Sequence, residues 1–204
     1  RDGEVLQDLD QDAAVSTVES LLQNGAEAVA ISLLHAYKDP KHELMLKDTL
    51  SSRFPKLAVS ISSEVAPVIN EYERTSTTVA DCYIKPKVSA YLQDIEQRLK
   101  NSGYKRKLLV MHSAGGVLEA QTASEHPIRL LESGPAAGAL AASFYSELLD
   151  QPDLISLDMG GTTAKASIIE DGRLTTAPEH EVGGGVGIGH RLLNGSGYIV
   201  RVPT

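Results

Sequence analysis

The sequence predicts an α/β protein, a layered fold built around a mixed sheet. Strand and helix patterns alternate through the first two thirds, and strand then follows strand over the last third. The chain has 204 residues, 42% of them hydrophobic, which is enough to bury a real core. No apolar run reaches the length of a membrane span.

Each element has its own signal. After a short "GEVLQDL" segment, Asp12 is placed to cap a helix that runs to about Gln23, with Ala14, Val18, Leu21 and Leu22 on the helical period. "NGAEAVAISLLHAY" reads as a turn followed by a buried strand. Asp39 and Pro40 occupy cap and first-turn positions for "DPKHELMLKDTLSSRF". "KLAVSISSEV" alternates like a strand. From Asn70 to Lys100 the pattern is helical, with Pro86 expected to kink the helix or divide it. "KRKLLVMHS" reads as a buried strand and "AGGVLEA" as a glycine turn entering a short helix. Ser133 is the expected cap of "SGPAAGALAASFYSELL", whose small residues let another backbone approach closely. "LISLDMG", "AKASIIEDG" and "RLTTAPEHEV" are three strand candidates, with "EDGR" as a hairpin turn. "GGGVGIGH" is a glycine-rich loop before a closing strand, "GYIVRV".

The formal charge of -8 argues against a surface made for nucleic acid. The acidic, polar beginning is unlike a secretory signal, and the single cysteine, Cys82, suits a reducing compartment, so the expected location is the cytoplasm without a membrane anchor. Cys82 falls in a helical pattern, where a small core residue is the expectation. The absence of an initial Met and the strand-like end suggest a piece of a longer chain.

The densest chemistry lies in "LISLDMGGTTAKASII". A carboxylate at a strand end, two glycines free to take positive backbone angles and two hydroxyls can form a hairpin tip that aims N–H groups at an anion. Asp158 repels a bare phosphate, but a hydrated Mg²⁺ between them makes the carboxylate useful, because Mg²⁺ takes one or two carboxylates together with phosphate oxygens. An ordinary β-turn accounts for the same six letters. No Walker A or Rossmann fingerprint is present.

The order of small-residue helix, strand, Asp-Gly-Gly-Thr turn and strand resembles the second phosphate-binding segment of the actin, sugar kinase and heat-shock chaperone ATPase superfamily, a ribonuclease H-like fold. The segments "SSEVAPVINEYERTSTTVADCYIKP", "LLVMHSAGGV", "RLLESGPAAG" and "DMGGTTAKASII", in that order, resemble the hydantoinase A and 5-oxoprolinase family with its acetone carboxylase relatives. The likeness covers nearly the whole chain. It implies an ATP- and Mg²⁺-dependent enzyme that opens a cyclic amide of the hydantoin or 5-oxoproline type by phosphorylating the amide oxygen, working with a B-type subunit. It assigns Asp158 to catalysis and the metal, and Gly160, Gly161, Thr162 and Thr163 to the phosphate. Lys165 stands where many relatives carry Asp; it is either a point charge on a phosphate or a solvent-facing strand residue.

On the same resemblance, residues 1–130 are the C-terminal part of a first lobe with its connecting helices, and residues 131–204 begin a second lobe. The family's first phosphate turn and its adenosine-binding segment do not occur in this sequence, so the chain is expected to be an internal fragment, inactive alone and prone to homo-oligomers through open sheet edges. Glu71, in "EYERTS", is a candidate general base, although ion pairs on a helix surface produce the same letters. His35, His42 and Glu43 have a spacing that a divalent metal accepts, with helix-entry capping as the plainer reading. His112 ends a strand beside a glycine turn, where either a ligand or a strand-end hydrogen bond fits. A nucleotide-gated regulatory or accessory subunit of the same fold, including a carboxylase subunit, is the alternative to a hydrolase.

Overall fold

Asp10 closes the first turn of helix α1 (Gln11–Gln23) by accepting the Ala13 N–H at 2.8 Å, so the cap lies two residues ahead of the expected Asp12. The computed structural model describes residues 5–161, 164–176, 180–182, 187–188, 191–192 and 198–201. It divides into two compact units, Arg1–Pro86 and Lys87–Thr204.

In the first unit, β1 (Ala28–Ile31), α2 (Lys41–Arg53) and β2 (Ala58–Ile61) form a β-α-β crossover. The strands pair in parallel, from Ala28 opposite Ala58 to Ile31 opposite Ile61. Val18 of α1, Leu46 and Leu50 of α2, and Ile31, Val59 and Ile61 of the strands make one buried cluster, with Leu9, Val15, Leu22 and Phe54 packed around it. The four-residue strands thus gain their stability from the two helices that cover them. α2 begins one residue later than expected: Pro40 is its cap, and Asp39 Oδ1 accepts the Lys41 N–H at 3.1 Å. A single turn, α3 (Ser62–Val65), follows β2.

Helix α4 (Glu71–Asn101) runs through Pro86 as one element, and the division between the units falls at that residue. Proline removes one intrahelical hydrogen bond and crowds the carbonyl four residues back, yet here the helix is not divided in two.

In the second unit, "KRKLLVMHS" yields only the short β3 (Leu109–Met111), and Leu109 is 55% exposed rather than buried. Its antiparallel partner β4 (Val117–Glu119) occupies residues expected to belong to a turn and helix; α5 (Ala120–Glu125) begins immediately after it. Leu92, Ala120 and Ala123 form the core here, flanked by Val88, Leu108, Val110, Leu118 and Leu130. A 3-10 turn (Pro127–Leu130) leads to α6 (Ser133–Leu148).

Next come β5 (Leu154–Met159), β6 (Ala164–Glu170) and β7 (Arg173–Leu174), an antiparallel meander. The "EDGR" turn forms as expected, with Asp171 at φ 50° and Gly172 at φ 71°, the positive angles a two-residue hairpin needs. Beyond it, β8 (His180–Val182) pairs with β11 (Tyr198–Val200), and β9 (Gly187–Ile188) with β10 (Arg191–Leu192). The α/β class holds. Among the described residues both kinds of pairing occur, parallel in β1–β2 and antiparallel in the ladders of the second unit.

β5 and β6 are not buried on both faces. Directly opposed residues of an antiparallel pair share a face. Leu154, Ser156 and Asp158 therefore lie with Ile169, Ser167 and Lys165, while Ile155, Leu157, Met159 and Ile168 are all exposed on the other side.

Candidate functional site

The β5–β6 hairpin presents its polar face to α6. Asp158 stands one residue from the end of β5 and directly opposite Lys165 of β6. A Cβ added at Gly138 of α6 would lie 3.9 Å from Asp158 Oδ2, so the helix and this carboxylate are neighbours. Asp158 is exposed, and its carboxylate has no hydrogen-bond or ion-pair partner among the described residues.

Its cross-strand neighbour is committed elsewhere. Lys165 Nζ pairs with Glu132 Oε2, the two side chains being 33% and 24% exposed. Lys165 is thus no solvent-facing strand residue. Desolvation lowers its pKa from the ordinary lysine value, while the adjacent carboxylate favours the ammonium. Glu132, rather than Ser133, caps α6: its backbone is left-handed at φ 60°, its carbonyl accepts the Ala136 N–H at 3.1 Å, and its side chain makes no cap bond. The carboxylate that could have capped the helix is used across the gap to β6.

Gly160 and Gly161 follow β5 as expected, but Gly161 does not take the positive backbone angle anticipated for it. A Cβ there would meet open space. Thr162 and Thr163 lie outside the described residues.

A second turn packs on the same helix. Gly115, at φ 82°, ends so close to α6 that a Cβ on it would sit 2.9 Å from Leu140 Cδ1. His112 bridges this turn: its N–H donates to Gly116 O at 2.9 Å, and its Nδ1 accepts the Ala114 N–H at 3.1 Å. The strand-end hydrogen bond therefore accounts for His112. The ring lies across Gly116, where a Cβ would come within 2.5 Å of Nε2.

In the first unit, Glu71 opens α4. It is half exposed, and its Oε1 accepts from Arg74 Nη2 at 3.3 Å, the helix-surface ion pair weighed as the plainer alternative. Arg74, 1% exposed, also donates to Leu33 O at 2.8 Å and Val68 O at 3.2 Å, with its guanidinium 5.6 Å from the Tyr37 ring centre. It fastens the segment after β1 to the approach to α4. Glu71 keeps an open side while Arg74 holds it in place.

His35, His42 and Glu43 do not gather as a metal site. Both histidines are exposed, whereas Glu43 is wholly buried and saturated: Oε1 accepts from Leu33 N–H and Ser62 Oγ, and Oε2 from Ser63 N–H. No group of three or more His, Cys, Asp or Glu among the described residues is arranged to hold a metal. Asp158 offers one exposed carboxylate without a described partner, and Mg²⁺ is a cation that retains water and needs few protein oxygens when phosphate supplies the rest.

The profile of the family described as hydantoinase/oxoprolinase matches residues 74–204, and that of its N-terminal region matches residues 1–54. An uncharacterized protein of Methanocaldococcus jannaschii is 43% identical over 201 residues, covering 98% of this chain and 29% of that one. The alpha subunit of a caprolactamase from Pseudomonas jessenii is 28% identical over 172 residues, covering 84% of this chain and 25% of that subunit. The crystal structure of that ATP-dependent enzyme superimposes with a TM-score of 0.73 over 82% of this chain and 24% of the other. Nucleotide-free acetone carboxylase, from work on ATP-dependent acetone carboxylation, gives a TM-score of 0.71 at 31% identity, again over 82% and 24%. The chain therefore spans less than a third of the length of these relatives.

Proposed function

Because the chain belongs to the hydantoinase/oxoprolinase family, we propose that it carries half of the phosphate and metal grip of an ATP-dependent enzyme that opens a cyclic amide of the hydantoin or 5-oxoproline type. The observation that carries this reading is the Asp158 carboxylate, which has no partner among the described residues and lies near the hairpin tip beside Gly138 of α6. We assign residues 1–130 to the end of a first lobe and residues 131–204 to the start of a second. A cytoplasmic enzyme with a B-type partner subunit is part of the same proposal. The described helices include none long and apolar enough to cross a membrane.

A lactam carbonyl is a poor electrophile because its nitrogen shares electron density with it. Transfer of the γ-phosphoryl group of ATP to the amide oxygen, with ADP leaving, makes that carbon attackable. Water then adds, the C–N bond opens to leave an amine, and hydrolysis of the acyl phosphate releases inorganic phosphate and the carboxylate. Such chemistry asks the protein for positioning and charge stabilisation. Mg²⁺, when bound, supplies charge neutralisation at the phosphates. Asp158 orients the ion or its water, and Gly160, Gly161, Thr162 and Thr163 give the phosphate room and donors. Lys165, fixed on Glu132, adds positive field beside them, and Glu71, in the first unit, is our candidate for a general base.

The test is ATP hydrolysis by the full-length product of the reading frame, with and without hydantoin, 5-oxoproline or a larger lactam. Stimulation by a cyclic amide that is lost in Asp158→Ala is the expected result. Hydrolysis indifferent to every cyclic amide sinks the hydrolase reading and favours the second one, an accessory or carboxylase-type subunit, for which the likeness to acetone carboxylase speaks.

A further inference from the structure

A lysine directly across an antiparallel pair from an aspartate has its natural partner within reach on the same face. Lys165 and Asp158 stand in that relation, yet the ammonium is bound to Glu132 and the Asp158 carboxylate is left without a described partner. Glu132 is placed for this by an unusual backbone. It is one of four described non-glycine residues with positive φ, and the left-handed turn at the start of α6 projects its side chain toward β6 instead of onto the helix's own N–H groups. Both partners are mostly shielded from water, so their attraction is less screened than that of a surface pair.

From this we infer that Glu132 is a positioning residue: it draws the Lys165 ammonium away from Asp158 and so keeps that carboxylate open for a divalent cation. The inference rests on the reading of Asp158 as the metal-holding residue. Without Glu132 the ammonium has one carboxylate left on its face, and a cation approaching Asp158 must compete with it. Glu132 thus acts on the metal through Lys165, without touching it.

The experiment is a titration of the full-length protein with Mn²⁺ alone, followed by water-proton relaxation, with Asp158→Ala defining the binding that depends on this carboxylate. Glu132→Gln is expected to weaken that binding about fivefold, the scale of one ion pair. Lys165→Met binds as tightly as the wild type or tighter, and Glu132→Gln with Lys165→Met recovers at least wild-type affinity because the competitor is gone. A helix-capping role for Glu132 predicts no such recovery. The inference is overturned if Glu132→Gln binds like the wild type, or if the double variant stays as weak as Glu132→Gln. If the wild type and Asp158→Ala bind Mn²⁺ alike, the underlying assignment of Asp158 falls as well.

Discussion

Glu43 Oε1 accepts the Ser62 hydroxyl at 2.7 Å with both residues fully buried, joining the first turn of α2 to the carboxyl end of β2. The same carboxylate takes the N–H groups of Leu33 and Ser63, so one anion closes the ends of both parallel strands. Hydrogen bonds to a charged acceptor are among the stronger ones, and removing the acceptor leaves three donors unmet, the Ser62 hydroxyl fully buried and the Leu33 and Ser63 N–H groups partly so. Glu43→Ala is therefore expected to destabilise the chain by about 3 kcal/mol in urea unfolding. Glu43→Gln should cost less, since its amide oxygen still accepts. Equal stability of Glu43→Ala and the wild type would contradict the role given to this network.

Glycine at 116 is a packing requirement. The His112 ring lies across it and is fixed by the Ala114 N–H, so the ring cannot swing aside without losing that bond. Gly116→Ala is expected to cost about 1–3 kcal/mol, as overpacking does. His112→Ala removes the obstacle, and the cost of Gly116→Ala should largely vanish in that background. Thermal unfolding of the four members of this cycle measures the coupling; purely additive losses would show that the ring is not the obstacle.

Burial pushes the Cys82 thiol up to about 11 from an ordinary value of 9.0, with Lys85 opposing and Asp81 reinforcing the shift. The folded protein thus holds this proton at pH values where the unfolded chain has already released it. Fewer protons bound in the unfolded state mean that stability falls as pH rises through 9 towards 11, by at most about 2–3 kcal/mol, and is unaffected by this group below that window. Cys82→Ala should lose the component. The measurement is the difference in unfolding free energy between the two proteins from pH 8 to 11, which cancels the other titrating groups. A constant difference would place the thiol in a wetter site.

The parts legible from sequence are those that local patterns decide. Helical periodicity found α1, α4 and α6, and "EDGR" gave its turn because positive φ at two successive residues is met by few dipeptides. Caps shifted by one or two residues: Asp10 rather than Asp12 accepts at the start of α1, and α6 begins after the left-handed Glu132 with no side-chain cap at all. β4 was missed because three residues between a glycine turn and a helix carry almost no period. Asp158 and its glycines stood out as a polar turn between two apolar runs, a pattern shared with an ordinary β-turn until the small-residue helix before it and the family resemblance were weighed. The pairings of Glu132, Glu43 and Arg74 were not legible, Glu43 having stood only as a candidate metal ligand or helix-entry residue, because their partners lie 33, 19 and 41 residues away along the chain, at Lys165, Ser62 and Leu33, and no local pattern announces a pairing across such a span.

The exposed face of the β5–β6 hairpin leads to a prediction about the isolated chain. Ile155, Leu157, Met159 and Ile168 form a contiguous apolar surface, with Met159 75% exposed. Water against such a surface costs free energy that association relieves, and patches of this kind on soluble proteins mark contacts with other protein. The 204-residue chain is therefore expected to sediment as dimers or larger assemblies at micromolar concentration. Leu157→Lys places a charge at the centre of the patch without entering the α6 face, so it should shift the population towards monomer while leaving the unfolding midpoint of diluted protein nearly unchanged. A wild-type chain that stays monodisperse and monomeric over the same concentrations would show that this face does not drive association.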